Sequence, residues 1–153
     1  MKKIVFFVVI VATVATACNN NSNTEDTNKT AAAEAVADST KLEGDWQLTT
    51  MAGMAVPFDS LFTGKIPGIN FDIAGRRISG NTGCNNFSGE LDMSGNTISF
   101  VKPMIMTKMF CQGNAEESFT QNLQKVNSWA ISNDTILHFK AGQEEVMRFK
   151  RRQ

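Results

Sequence analysis

From Leu42 onward, apolar and polar residues alternate with a period of two, interrupted at short intervals by Gly, Asn and Asp. Trp46 and Leu48 share one face of a first strand. Ile69, Phe71 and Ile73 follow, and Ala74-Gly75-Arg76 turns the chain into Arg77–Thr82. Phe87, Leu91 and Met93 alternate with Ser88, Glu90 and Asp92, and Ser94-Gly95-Asn96 leads to Ile98 and Phe100. Late in the chain, Trp129 and Ile131 pass through Asn133-Asp134 to Leu137 and Phe139, and Ala141-Gly142-Gln143 turns into Met147 and Phe149. Short runs of this kind with such turns predict antiparallel hairpins.

One stretch changes period. Phe119, Leu123 and Val126 recur at helical spacing, preceded by Asn114 in the cap position and Glu117 three residues on. That pattern predicts a short amphipathic helix from about Ala115 to Val126, opened by a capping box. A meander has two open edges, and curling is the usual way to remove them. The expected fold is mainly β: an antiparallel, strongly curved sheet or small barrel of about seven to eight strands with one short α-helix.

The first residues obey a different logic. Met1-Lys2-Lys3 is basic, Ile4 to Val14 is almost wholly apolar, and Ala15-Thr16-Ala17 is small. This is the layout of a secretory signal over residues 1–17, too short for a spanning helix, which needs roughly 20 apolar residues. Cys18 directly after the small residues resembles a bacterial lipobox, whose cysteine takes a diacylglyceryl group and further fatty acid such as palmitate. Ala15 stands where lipoboxes more often carry Leu. Residues 19–41 are rich in Asn, Ser, Thr and Ala, with Val36 the only sizeable apolar side chain, so they bury too little to offset ordering entropy. Residues 18–41 therefore read as a lipidated cysteine and disordered tether, spanning roughly 25–30 Å as a coil, and residues 42–153 as one domain. Asn19 next to Cys18 lacks the Asp associated with inner-membrane retention, which points to the outer membrane.

Charge narrows the partners. The chain has fifteen basic and fifteen acidic residues, with equal numbers again from Leu42 onward. No nucleic-acid footprint is present. The one basic cluster, Arg148 with Lys150-Arg151-Arg152, reads as solvated charge on a terminal strand, with contact to anionic lipid headgroups as the alternative.

Three blocks carry a family likeness. Leu42-Glu43-Gly44-Asp45-Trp46 comes first, then Gly80-Asn81-Thr82-Gly83-Cys84-Asn85-Asn86-Phe87-Ser88-Gly89, then Thr107-Lys108-Met109-Phe110-Cys111 before the helix. In this order they resemble the META domain of the heat-shock protein HslJ type, from Leu42 to about Arg151. The resemblance implies a compact, barrel-like antiparallel fold with a helix and a stress-associated role, without a common ligand. Turn chemistry explains the second block: its glycines permit positive φ or close approach, and Asn85 and Asn86 satisfy backbone groups in a tight bend. The alternative is a polar rim for a ligand or partner formed by Thr82, Asn85, Asn86 and Thr107. With Cys18 lipidated, Cys84 and Cys111 remain as a pair in an oxidising compartment, and the expectation is a disulfide; two buried thiols acting as small apolar residues are the alternative.

Catalysis has little to build on. His138 is the only histidine, Tyr is absent, and no Ser–His–acid or Cys–His set has a sequence anchor. His138 reads as exposed and structural, and Glu116 and Glu117 as helix-start charge. No enzyme, cofactor or zinc site is expected. Met104, Met106, Met109 and Cys111 form a soft-donor cluster that would suit Cu(I), though methionine equally fills irregular cores. Three triplets, at Asp38-Ser39-Thr40, Asp59-Ser60-Leu61 and Asp134-Thr135-Ile136, resemble O-glycan acceptors. The sequence thus predicts a lipid-anchored envelope protein that binds a protein partner, or alternatively carries a small apolar ligand inside a barrel; a cavity or a filled interior separates the two.

Overall fold

The computed structural model describes residues 38–54, 57–62 and 64–153. The expected signal peptide over residues 1–17, Cys18 and most of the expected tether lie outside the described residues. Asp38 opens the fold by accepting the Thr40 N–H at 3.0 Å and its hydroxyl at 2.7 Å, which caps a 3-10 helix over Ser39–Leu42. Lys41 reaches Asp134 at 2.7 Å, so these last residues assigned to the tether form a pinned turn.

Ten strands follow: β1 (Gly44–Met51), β2 (Gly68–Asp72), β3 (Arg77–Asn81), β4 (Asn86–Glu90), β5 (Asp92–Ser94), β6 (Thr97–Ser99), β7 (Ile105–Met106), β8 (Ser128–Ser132), β9 (Ile136–Ala141) and β10 (Glu144–Arg151). A single turn of helix, α1 (Phe58–Leu61), interrupts β1 and β2, and α2 (Ala115–Lys125) precedes β8. The sheet runs β5-β6-β8-β9-β10-β1-β2-β3-β4-β7, and every neighbouring pair is antiparallel. The class is as expected, with more strands. The alternating run through Phe87 and Met93 is two strands broken at Leu91, and β7 is only two residues long, too short for a periodic signal.

The break at Leu91 explains the shape. β4 stands second from one margin of the sheet and β5 forms the other margin, yet one residue separates them. One residue advances the chain by about 3.4 Å, so the two margins must curl round to meet. Leu91 is held there by its N–H, which donates to the Arg76 carbonyl at 2.9 Å. Lys102 braces the same place, lying 3.5 Å from Glu90 and 3.6 Å from Asp92. Register shifts between Leu48 and Thr50 in β1, and between Glu145 and Met147 in β10, add the bend that a long flat pair would lack. The second shift also lets consecutive Val146 and Met147 both point inward.

Aromatic side chains fill the interior. Trp46, Phe71, Phe119, Phe139 and Phe149 are fully buried. Phe139 meets Phe71 edge-on at 6.4 Å and Phe149 at 5.2 Å, arrangements that the ring quadrupole favours. The Trp46 indole N–H donates to the Leu42 carbonyl at 2.7 Å, which satisfies its one polar atom. Helix α2 packs Phe119 and Leu123 into the barrel, and Phe119 lies 6.2 Å from Phe87. Phe100 joins the same group, 5.3 Å from Phe139, so aromatic rings pack together inside the curled sheet.

Candidate functional site

The Gly-Cys-Asn block forms the corner between β3 and β4. The Thr82 N–H donates to the Asn85 carbonyl at 2.8 Å, and the Asn85 N–H returns to the Thr82 hydroxyl at 3.0 Å. Gly83 sits at φ +98°, and a Cβ there would lie 2.8 Å from the Phe62 ring, so both backbone sign and space require glycine.

Asn85 is the hub. Its Oδ1 accepts the Thr107 hydroxyl at 2.8 Å and the Met109 N–H at 2.7 Å. Its Nδ2 donates to the Met109 carbonyl at 3.1 Å and to Glu116 Oε2 at 3.0 Å. The other Glu116 oxygen accepts the Thr82 hydroxyl at 2.7 Å. One carboxylate from the first turn of α2 therefore fastens the helix to the corner, and one amide fastens the corner to the 107–111 segment. Burying these groups is tolerable because each is paired.

Cys84 and Cys111 are bonded to each other, with Cα atoms 6.1 Å apart, at the outer side of this network. The Cys111 sulfur lies 2.9 Å from Glu116 Oε2 and 3.2 Å from Asn85 Nδ2. The two sulfurs and a Glu116 oxygen lie within 4.8 Å of one another, the spacing of a metal site. A disulfide offers no thiolate, however, so neither cysteine supplies a strong soft-metal ligand there. Met104 and Met106 pack against the core, whereas Met109 is turned largely to solvent.

The four residues read as a polar rim thus divide. Thr82 and Asn85 are buried and their side chains are taken up by protein partners. Asn86 and Thr107 keep exposed surface: Asn86 Oδ1 accepts Lys65 at 3.2 Å, and the Thr107 hydroxyl accepts the Asn86 N–H at 3.0 Å. The expected capping box is not made. The Asn114 side chain forms no cap hydrogen bond, Glu117 pairs along the helix with Gln121 at 3.0 Å, and the neighbouring Glu116 turns inward. A carboxylate in a first helical turn looks the same in sequence whether it faces solvent or a neighbouring corner.

Beside the disulfide an open cleft of about 380 Å³ is lined by Leu61, Phe62, Gly83, Met109, Phe110 and Glu116, among others. Phe110 on its rim is 90% exposed, and Ile105 and Val101 on the same connecting segment are 80% and 70% exposed. His138 is not the exposed residue expected; it is half-buried between Ser132 and Glu145. Cross-strand spacing hides that grouping, since its members lie six and seven residues apart on three strands.

Comparison with known proteins bears on the whole domain. The family model described as META domain matches residues 38–153. No curated protein matches the sequence. An NMR structure of a protein from Burkholderia xenovorans is similar at 18% identity and a TM-score of 0.57, covering 86% of this chain and 99% of that one. The crystal structure of a DUF4847 family protein from Bacteroides vulgatus aligns at 12% identity and a TM-score of 0.52, covering 72% of this chain and 94% of its own. A further NMR structure aligns at 22% identity and 0.51, over 71% and 89%. At these identities the likeness is one of fold.

Proposed function

The chain belongs to the META domain family, and we propose that it serves as a lipid-held binding module of the cell envelope, gripping a protein partner without chemistry at its corner. The single observation that carries this reading is the pair of apolar side chains left in water at the disulfide cleft, Met109 and Phe110. Exposed large apolar groups grouped beside a concave surface mark interaction sites. Here they stand on a segment pinned by Asn85 and the disulfide, so little ordering entropy opposes binding. The many aromatic side chains buried inside the sheet favour this over the apolar carrier. Acylation of Cys18 and the polar tether supply the address, with the outer membrane as the destination and an envelope-stress role drawn from the family likeness.

A photo-crosslinking residue at position 110, expressed in cells, tests the surface. A discrete adduct with one envelope protein is expected, lost when the probe is moved to exposed Gln143. Equal, diffuse crosslinking at both positions would remove the reading. Labelled palmitate that fails to enter the wild-type chain, but not the interaction, would remove only the anchor.

A further inference from the structure

The outward faces of β8, β9 and β10 bring a nucleophile, a base and an acid into line. Ser132, the last residue of β8, has its Oγ 2.7 Å from Nε2 of His138 on β9. His138 Nδ1 contacts Glu145 Oε2 on β10, and the other Glu145 oxygen is held by Arg148 at 2.7 Å. Burial pushes the Glu145 carboxyl upward, but hydrogen bonds from His138 and Arg148 outweigh it and hold the group below its ordinary range.

An ionised carboxylate only accepts, so the proton it shares with His138 belongs to Nδ1. With Nδ1 donating to Glu145, a neutral His138 presents its Nε2 lone pair to the Ser132 hydroxyl. That polarity is the one a general base needs to activate a serine. Access is available too: β6 pairs with β8 only at Ser128, so among the described residues no strand is paired to that margin of β8 near Ser132, which is half-buried rather than closed off.

We infer that Ser132 is a nucleophile toward activated carboxylic esters, with His138 as its base and Glu145 as the positioning residue. In the step, Ser132 Oγ bonds to the ester carbonyl carbon while His138 Nε2 takes the hydroxyl proton. The bond from that carbon to the leaving oxygen then breaks, and the leaving group departs with the proton. An acyl ester of Ser132 remains. The site lies on other strands than the disulfide cleft and does not depend on the binding role.

The full-length protein in detergent, incubated with p-nitrophenyl acetate, tests this by peptide mass mapping. One acetyl group on Ser132 is expected, absent in Ser132→Ala and about a hundredfold slower to form in His138→Gln. Glu145→Asp should label faster than Glu145→Gln, since a carboxylate can still fix the imidazole, whereas a merely structural role would not rank them so. Each variant's thermal transition is checked alongside, and if His138→Gln does not fold, the Asp and Gln pair decides. No adduct at Ser132, or labelling that ignores His138 or the difference between Asp and Gln at position 145, would overturn the inference.

Discussion

Glu116 receives the Thr82 hydroxyl at 2.7 Å across 34 residues of sequence, which makes a helix-start carboxylate the link between α2 and the corner after β3. Thr82 is fully buried and Asn85, which donates to the other oxygen, nearly so. Glu116→Ala would leave both donors without that acceptor, at a cost of about 1–3 kcal/mol. Asn85→Ala should cost at least as much, because it strips partners from Met109, Thr107 and Glu116 together. Urea unfolding of both, with the exposed Glu117→Ala as control, checks the ranking: Glu117→Ala should stay within about 0.5 kcal/mol of wild type.

Gly80 meets β2 too closely for any side chain. A Cβ there would lie 2.2 Å from the Gly68 carbonyl oxygen and 2.8 Å from the Phe87 ring. Gly80→Ala must therefore push backbone away from backbone, and a loss of about 3 kcal/mol or more is expected. Gly53→Ala serves as comparison, since nothing lies within 4 Å and only its φ of +74° opposes the change. Melting temperatures should place Gly80→Ala well below Gly53→Ala.

Reduction of the Cys84–Cys111 bond releases a loop of 27 residues in sequence separation. The chain-entropy account gives about 3.5 kcal/mol for a loop of that size. Unfolding with and without reductant measures it, and the Cys84→Ala/Cys111→Ala double variant should resemble the reduced protein. Because Asn85 and Glu116 pin the same segment from inside, the reduced domain should still fold.

Glu145 predicts an acid limb in stability. Its folded value is depressed, with burial opposed and outweighed by His138 and Arg148, so its contribution is complete above the ordinary glutamate value of 4.5 and disappears as pH falls through the lower folded value. Glu145→Gln should be less stable than wild type at neutral pH and converge with it in acid. Parallel curves from neutral pH down to below about 4 would show that the pair contributes nothing through ionisation.

Sequence patterning captured what is periodic and missed what is convergent. Phe119 and Leu123 announced α2, and Trp46, Leu48, Phe139 and Phe149 announced inward faces, because burial follows periods of 3.6 and 2. β7 escaped because two residues carry no period. The role of Glu116 escaped because its partners come from a corner 31 and 34 residues away. The Ser132–His138–Glu145 line had one available clue: in a tight double hairpin, outward positions of consecutive strands become neighbours. The glycine block was legible as turn chemistry, whereas which of its asparagines faced inward depended on packing that only the folded chain supplies.

Leu91 gives the barrel a seam. Most neighbouring strands in this domain are close in sequence and zip locally, but joining β4 to β5 obliges the molecule to close in a circle before either outer strand finds its place. A nick in the exposed stretch from Val101 to Pro103 would leave that circle intact. One at Leu91 would cut the tighter of the two links across that gap and leave only the longer run from Ser99 to Ile105, so new termini belong in the first place rather than the second.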